Sequence, residues 1–182
     1  MSGTVNAPIW TTSSPTGSQR AHISRFLDTV GDGSGTKNAI GDYSAAAEIF
    51  FIQPPASQVF RIARILVTIC DTNGSSAGDY GNITGGIANG VTVRHQNDAG
   101  TVTNYTDGVP VTDNASWTSF CYDGVPLVWG SGNDVFAVRW TFEKSGQYLR
   151  LDGAVNDRLE VVLNDDLRGL IFHRFLVQGY IE

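Results

Sequence analysis

The chain has 182 residues, a formal net charge of −6 and 41% hydrophobic residues, which suits one domain able to bury a core without a metal or disulfide staple. Its 12 Lys and Arg are scattered and trace no basic groove that the sequence reveals, so a free-standing DNA-binding role is not expected. Charged residues at 16% are sparse, and 21 glycines against 6 prolines predict many tight turns and an all-β fold rather than disorder.

The opening MSGTVNAPIW has neither a basic n-region nor an apolar h-region, so no signal peptide is expected. No apolar run approaches the ~20 residues that a membrane helix needs, and the expectation is a soluble chain made in the cytoplasm. Residues 1–20 are rich in Ser, Thr, Gly and Pro, with Ile9 and Trp10 as the large apolar pair. They read as a flexible N-terminal arm, either frayed or ordered against a neighbouring subunit through Trp10. Residues 21–182 read as a single β domain.

The first strand is expected over Ala21–Thr29, with Ile23 and Leu27 on one face and Arg25 between them. A Gly-Asp-Ser loop follows from Gly31 to Asp42. Within it, Asp32-Gly33-Ser34-Gly35 is no nucleophile elbow, because the glycines are out of phase and no strand leads into it. Without a following helix, the spaced glycines make no dinucleotide fingerprint either. Ala46–Gln53 reads as a second strand, closed by Pro54-Pro55, which cannot donate to a ladder.

Gln58–Asp71, QVFRIARILVTICD, is the longest apolar stretch. Both alternating phases are largely apolar, which predicts a central strand covered on both sides; its β-branched content argues against a helix. Asp71-x-Asn73-x-Ser75-x-x-x-Asp79 resembles a calcium loop, but Ser76 replaces its glycine and Asn82 its bidentate Glu, so a plain turn is favoured. Gly90–Gln96 and Thr101–Thr106 flank Asn97-Asp98-Ala99-Gly100 and predict a hairpin.

Asp107–Gly132 is irregular and aromatic, carrying Trp117, Phe120, Tyr122 and Trp129. Those rings plug an open end of the fold, anchor a subunit interface, or stack on sugar. Three closing strands follow over Asp134–Lys144, Arg158–Asn164 and Leu170–Glu182, with a short one around Leu149 and Leu151. About eight or nine strands at short spacing, with no amphipathic helix, predict an antiparallel sandwich or barrel.

Candidate chemistry is thin. Asp157, Asn164, Asp165 and Asp166 bracket the penultimate strand, and adjacent acids there read as turn formers before they read as acid–base machinery. His22, His95 and His173 have no metal-ligand spacing. Cys70 and Cys121 form no C-x-x-C motif and read as two buried thiols, with a disulfide as the alternative. No catalytic residue, cofactor site or metal site is assigned.

RIARILVTICD (Arg61–Asp71), YGNITGGIANGVTV (Tyr80–Val93), DGVPVTDNASW (Asp107–Trp117), CYD (Cys121–Asp123), GNDVFAVRWTFEKSG (Gly132–Gly146), NDDLRGL (Asn164–Leu170) and VQGY (Val177–Tyr180) together resemble a family of bacteriophage virion proteins with a jelly-roll-like β-sandwich. The resemblance spans about Val59 to Tyr180 and rests on the order and spacing of these pieces. It implies a non-enzymatic building block of a phage particle, located on the capsid surface or the tail. A head decoration or cement protein is the first reading, with the major capsid protein and copies of itself as partners, commonly as a trimer. Direct contact with nucleic acid or membrane is not expected. The interface residues expected are Trp10, Trp117, Phe120, Tyr122 and Trp129. The alternative is a receptor- or glycan-binding module of a tail fibre or spike, and a glycan-degrading enzyme ranks last.

Overall fold

The computed structural model describes residues 20–71, 87–111, 135–142 and 148–182. Nine strands appear among them: β1 His22–Phe26, β2 Glu48–Ile52, β3 Val59–Asp71, β4 Ile87–Asn97, β5 Gly100–Val111, β6 Val135–Thr141, β7 Leu149–Asp152, β8 Arg158–Leu163 and β9 Leu170–Ile181. Each follows an expected segment. β4 begins earlier and β5 ends later than turn chemistry suggested, because pairing of Ile87 with Val111 extends the hairpin into glycine-bearing sequence. Among the described residues no helix is long and apolar enough to cross a membrane.

The strands form two antiparallel sheets, β1-β9-β3-β6 with β7 also on β3, and β2-β8-β4-β5. β6 and β7 share one edge of β3: β6 pairs with Arg64–Cys70 and β7 with Val59–Ile62. The first strand thus lies beside the last, the second beside the penultimate, and the fourth beside the fifth. That order is a long hairpin rolled up on itself into an antiparallel β-sandwich.

The core lies between the sheets. β9 contributes Phe175 and Val177, β3 contributes Ile65, Val67 and Ile69, and β8 contributes Leu159, Val161 and Leu163, all buried. Phe50 on β2 meets Phe175 with ring centroids 6.4 Å apart, joining one sheet to the other. Burying such a side chain contributes about 1.5–3 kcal/mol. A second tie lies at the end of the sandwich, where Asp28 and Phe51 exchange backbone hydrogen bonds of 3.2 and 2.9 Å. The fully buried Asp28 accepts the N–H groups of Val30 and Gly31 at 2.7 and 2.5 Å, turning the chain back. Gly31 has φ +88°, and a Cβ there would stand 2.1 Å from the Phe51 ring, so only glycine fits.

The two apolar phases of β3 have a different cause from double coverage. Phe60 and Ile62 face the core, and after one extra residue Ile65, Val67 and Ile69 do. The pairing to β9 shifts between Ile62 and Arg64, so Ala63 is a bulge that inverts the alternation. On the other face Arg64, Leu66 and Thr68 are only half-buried.

Candidate functional site

Trp10, Trp117, Phe120, Tyr122 and Trp129, the expected interface anchors, lie outside the described residues. So do Cys121 and the Asn73–Asp79 segment that resembled a calcium loop. Cys70 is buried at the end of β3. Among the described residues, no three His, Cys, Asp or Glu side chains gather to hold a metal ion.

The acids bracketing β8 hold the fold. Asp165 accepts the backbone N–H groups of Asn89 and Gly90, each at 3.1 Å, and so secures the irregular start of β4 some 75 residues away. Asp157 accepts the Asp152 N–H at 2.9 Å across the 3-10 turn Gly153–Val155, and its other oxygen lies 2.9 Å from His95 Nε2. Asp166 is exposed and pairs with Arg168 at 2.5 Å, an ion pair that Asp42 joins at 3.0 Å. The hydrogen bonds from Arg168 hold the Asp166 carboxyl down at about 2. These side chains look to different partners and do not converge on one cleft.

His173 is fully buried in β9. Its Nδ1 lies 3.2 Å from the Ala39 carbonyl, and its backbone exchanges hydrogen bonds with Asn38 Oδ1 and the Ala39 N–H, each at 2.8 Å. Loss of water around the ring is the largest influence and pulls its pKa to about 3, against the raising effect of the Ala39 contact. The imidazole is a neutral core group.

The outer faces of the sheets carry the remaining chemistry. On the β2-β8-β4-β5 sheet the register sets Phe51, Glu160 and Arg94 side by side across three strands. Glu160 is buried and accepts from Arg94 Nε at 2.6 Å and from Arg158 Nε, while the Arg158 guanidinium lies 5.8 Å from the Phe51 ring centre. Both guanidinium charges are set against one carboxylate.

On the β1-β9-β3-β7 sheet the register builds two rows on the outer face: His22, Tyr180 and Arg61, then Ser24, Gln178 and Arg64. Arg61 and Arg64 are three residues apart and would face opposite sides of a regular strand. The Ala63 bulge puts them on the same side. Opposite it, a Cβ on Gly179 would stand 2.0 Å from the Arg61 carbonyl oxygen, so glycine permits the close approach of the strands. Tyr148 closes the group: its ring meets Tyr180 at 5.1 Å with an interplanar angle of 77°. The result is a depression of about 280 Å³ that includes Tyr148, Tyr180, Arg64, Gln178, His22 and Ser24.

Sequence reasoning passed over this group. Two signals for it were present: the change of apolar phase between Ile62 and Ile65, and a glycine in the middle of an otherwise continuous strand at Gly179.

Set against protein-family models, curated proteins and solved structures, the chain finds no match, so its own fold and side chains must carry the functional reading.

Proposed function

We propose that this chain is a non-enzymatic structural protein of a bacteriophage particle, a capsid decoration or cement protein that stabilises the head through contacts with the major capsid protein and with copies of itself. The observation that carries the reading is the rolled-up strand order, β1 beside β9 and β2 beside β8. Double-sheet jelly rolls of this kind serve as capsid and lectin domains, and the step from fold to role is by analogy. The use of Asp157, Asp165 and Asp166 as fold-holding groups supports it, since each candidate acid already has a structural partner. The sequence resemblance points the same way.

Stabilisation would come from apolar and aromatic area buried at symmetric interfaces, where obligate contacts commonly exceed ~2,000 Å². Electron cryo-microscopy of intact particles tests the location: density for the chain at symmetry-related positions on the head is expected, and density at the tail tip overturns the assignment. In the same particles, Trp117→Ala and Trp129→Ala are expected to weaken binding to the shell and lower resistance to heat. Wild-type binding and heat resistance would remove those two residues from the interface.

A further inference from the structure

We propose that the outer face of the β1-β9-β3-β7 sheet carries a binding subsite for an acidic sugar, with Arg64 receiving the carboxylate and the Tyr148–Tyr180 corner receiving the pyranose ring. This goes beyond the structural role and does not depend on where in a particle the chain sits.

Uncommitted donors give the first reason. Arg64 uses Nε to donate to Gln178 Oε1 at 2.7 Å, which fixes the plane of the guanidinium. Among the described residues its two Nη groups have no partner, and Gln178 keeps its amide N–H₂ as a donor. A guanidinium fork held in this way matches a carboxylate in bidentate fashion.

Charge gives the second. The chain is acidic overall, at −6, yet among the described residues two carboxylates on this face of the sheet, Glu182 and Asp152, already have arginine partners. Glu182 accepts from Arg61 Nε and Nη2 at 3.0 and 3.1 Å, and Asp152 accepts from Arg150 at 3.0 Å. Arg20 lies over the Tyr180 ring, 4.5 Å from its centre, and adds a further positive charge beside the site. An anion is therefore drawn to a patch where these two acids are neutralised.

Shape gives the third. Two phenol rings at 77° make a corner against which the flat, C–H-bearing face of a sugar can lie. The exposed His22 and Ser24 stand in the register rows beside it and can meet ring hydroxyls. A flexible acidic peptide would use the guanidinium but has no rigid ring for the tyrosine corner. The Ala63 bulge, with Gly179 facing it, places a fork and an aromatic corner on one face of a regular sheet; bulges commonly re-aim side chains in this way beside binding sites.

Calorimetric titration of the full chain with trigalacturonic acid, its fully methyl-esterified form and tetraglutamate distinguishes these ligands. Saturable binding of the acid is expected, with the ester weaker by about tenfold or more, the size of losing one charge-assisted hydrogen bond, and the peptide weaker by a similar factor because it lacks the ring that the tyrosine corner receives. Arg64→Ala and Tyr180→Ala are each expected to lose a similar factor. Arg64→Lys keeps the charge on the strand while removing the fork, and is read alongside them in case the larger truncations disturb the fold. No saturation at millimolar trigalacturonate, equal binding of the ester or of tetraglutamate, or unchanged affinity in Arg64→Lys would each overturn the proposal.

Discussion

The two sheets use similar residues for opposite ends. The β2-β8-β4-β5 sheet buries a carboxylate, Glu160, and closes two guanidinium groups on it from Arg94 and Arg158. The β1-β9-β3-β7 sheet buries an imidazole, His173, with the Ala39 carbonyl beside its Nδ1, and turns Arg64 outward toward an amide. On the first sheet the arginines compensate a buried charge. On the second, the interior group is neutral and needs no counter-charge, which leaves arginine available at the surface. An arginine's role in a β-sandwich is thus set by what the neighbouring strand buries, and residue type alone does not disclose it.

The comparison can be broken most forcefully at Glu160. Replacing it with Ala leaves Arg94 and Arg158 facing each other without a counter-ion. A loss of about 2–4 kcal/mol is expected by urea unfolding, the lower part of the range reflecting the partial exposure of both arginines. If Glu160→Ala unfolds like wild type, the triad holds nothing together.

On the other sheet the largest effect is expected at Gly179. Gly179→Ala drives a Cβ into the Arg61 carbonyl and must part β9 from β3 at the bulge, at a cost of about 1–3 kcal/mol. Hydrogen exchange of the amides of β3 around Ala63 should rise by more than the loss of global stability in this variant, and by no more than that loss in Glu160→Ala, which would separate the two sheets directly.

The neutral state of His173 predicts a pH dependence of stability. Its folded pKa, about 3, lies below the unfolded value near 6.5. Its contribution is therefore fully present above pH 6.5. It is lost as pH falls from there toward 3, because only the unfolded chain takes up the proton. The slope reaches about 1.4 kcal/mol for each pH unit. His173→Gln should flatten the stability profile between pH 6.5 and 4 relative to wild type, as measured by denaturant titration at each pH. An unchanged slope would show that another group controls it.

The smallest effect is expected at the exposed pair Arg61–Glu182. Glu182→Ala should leave the thermal midpoint unchanged within error, since solvent and salt screen a surface ion pair. A measurable drop would mean that the patch around Tyr180 is more rigid than its exposure implies.

The nine strands were legible because alternation is a local property. Ile23 and Leu27, Phe50 and Ile52, and Leu159, Val161 and Leu163 show their period of two to any reader of the chain, and Pro54-Pro55 and Asn97-Asp98-Ala99-Gly100 mark where strands stop. The buried, neutral state of His173 was less legible, because its partner, Ala39, is 134 residues away.

What the sequence determined by itself is therefore the all-β class and the approximate strand boundaries, since each follows from neighbours along the chain. Tertiary structure decided the rest. Pairing order placed β1 beside β9, and register brought His22, Tyr180 and Arg61 into one row. The bulge at Ala63 converted what looked like a strand covered on both faces into a strand that changes face midway, and so presented Arg64 outward. Asp165 became a clamp on Asn89 and Gly90 only because β4 and β8 lie side by side. Alternation acts over two residues, whereas register is fixed by side chains packing across the whole sheet, and a shift of one residue reverses every face.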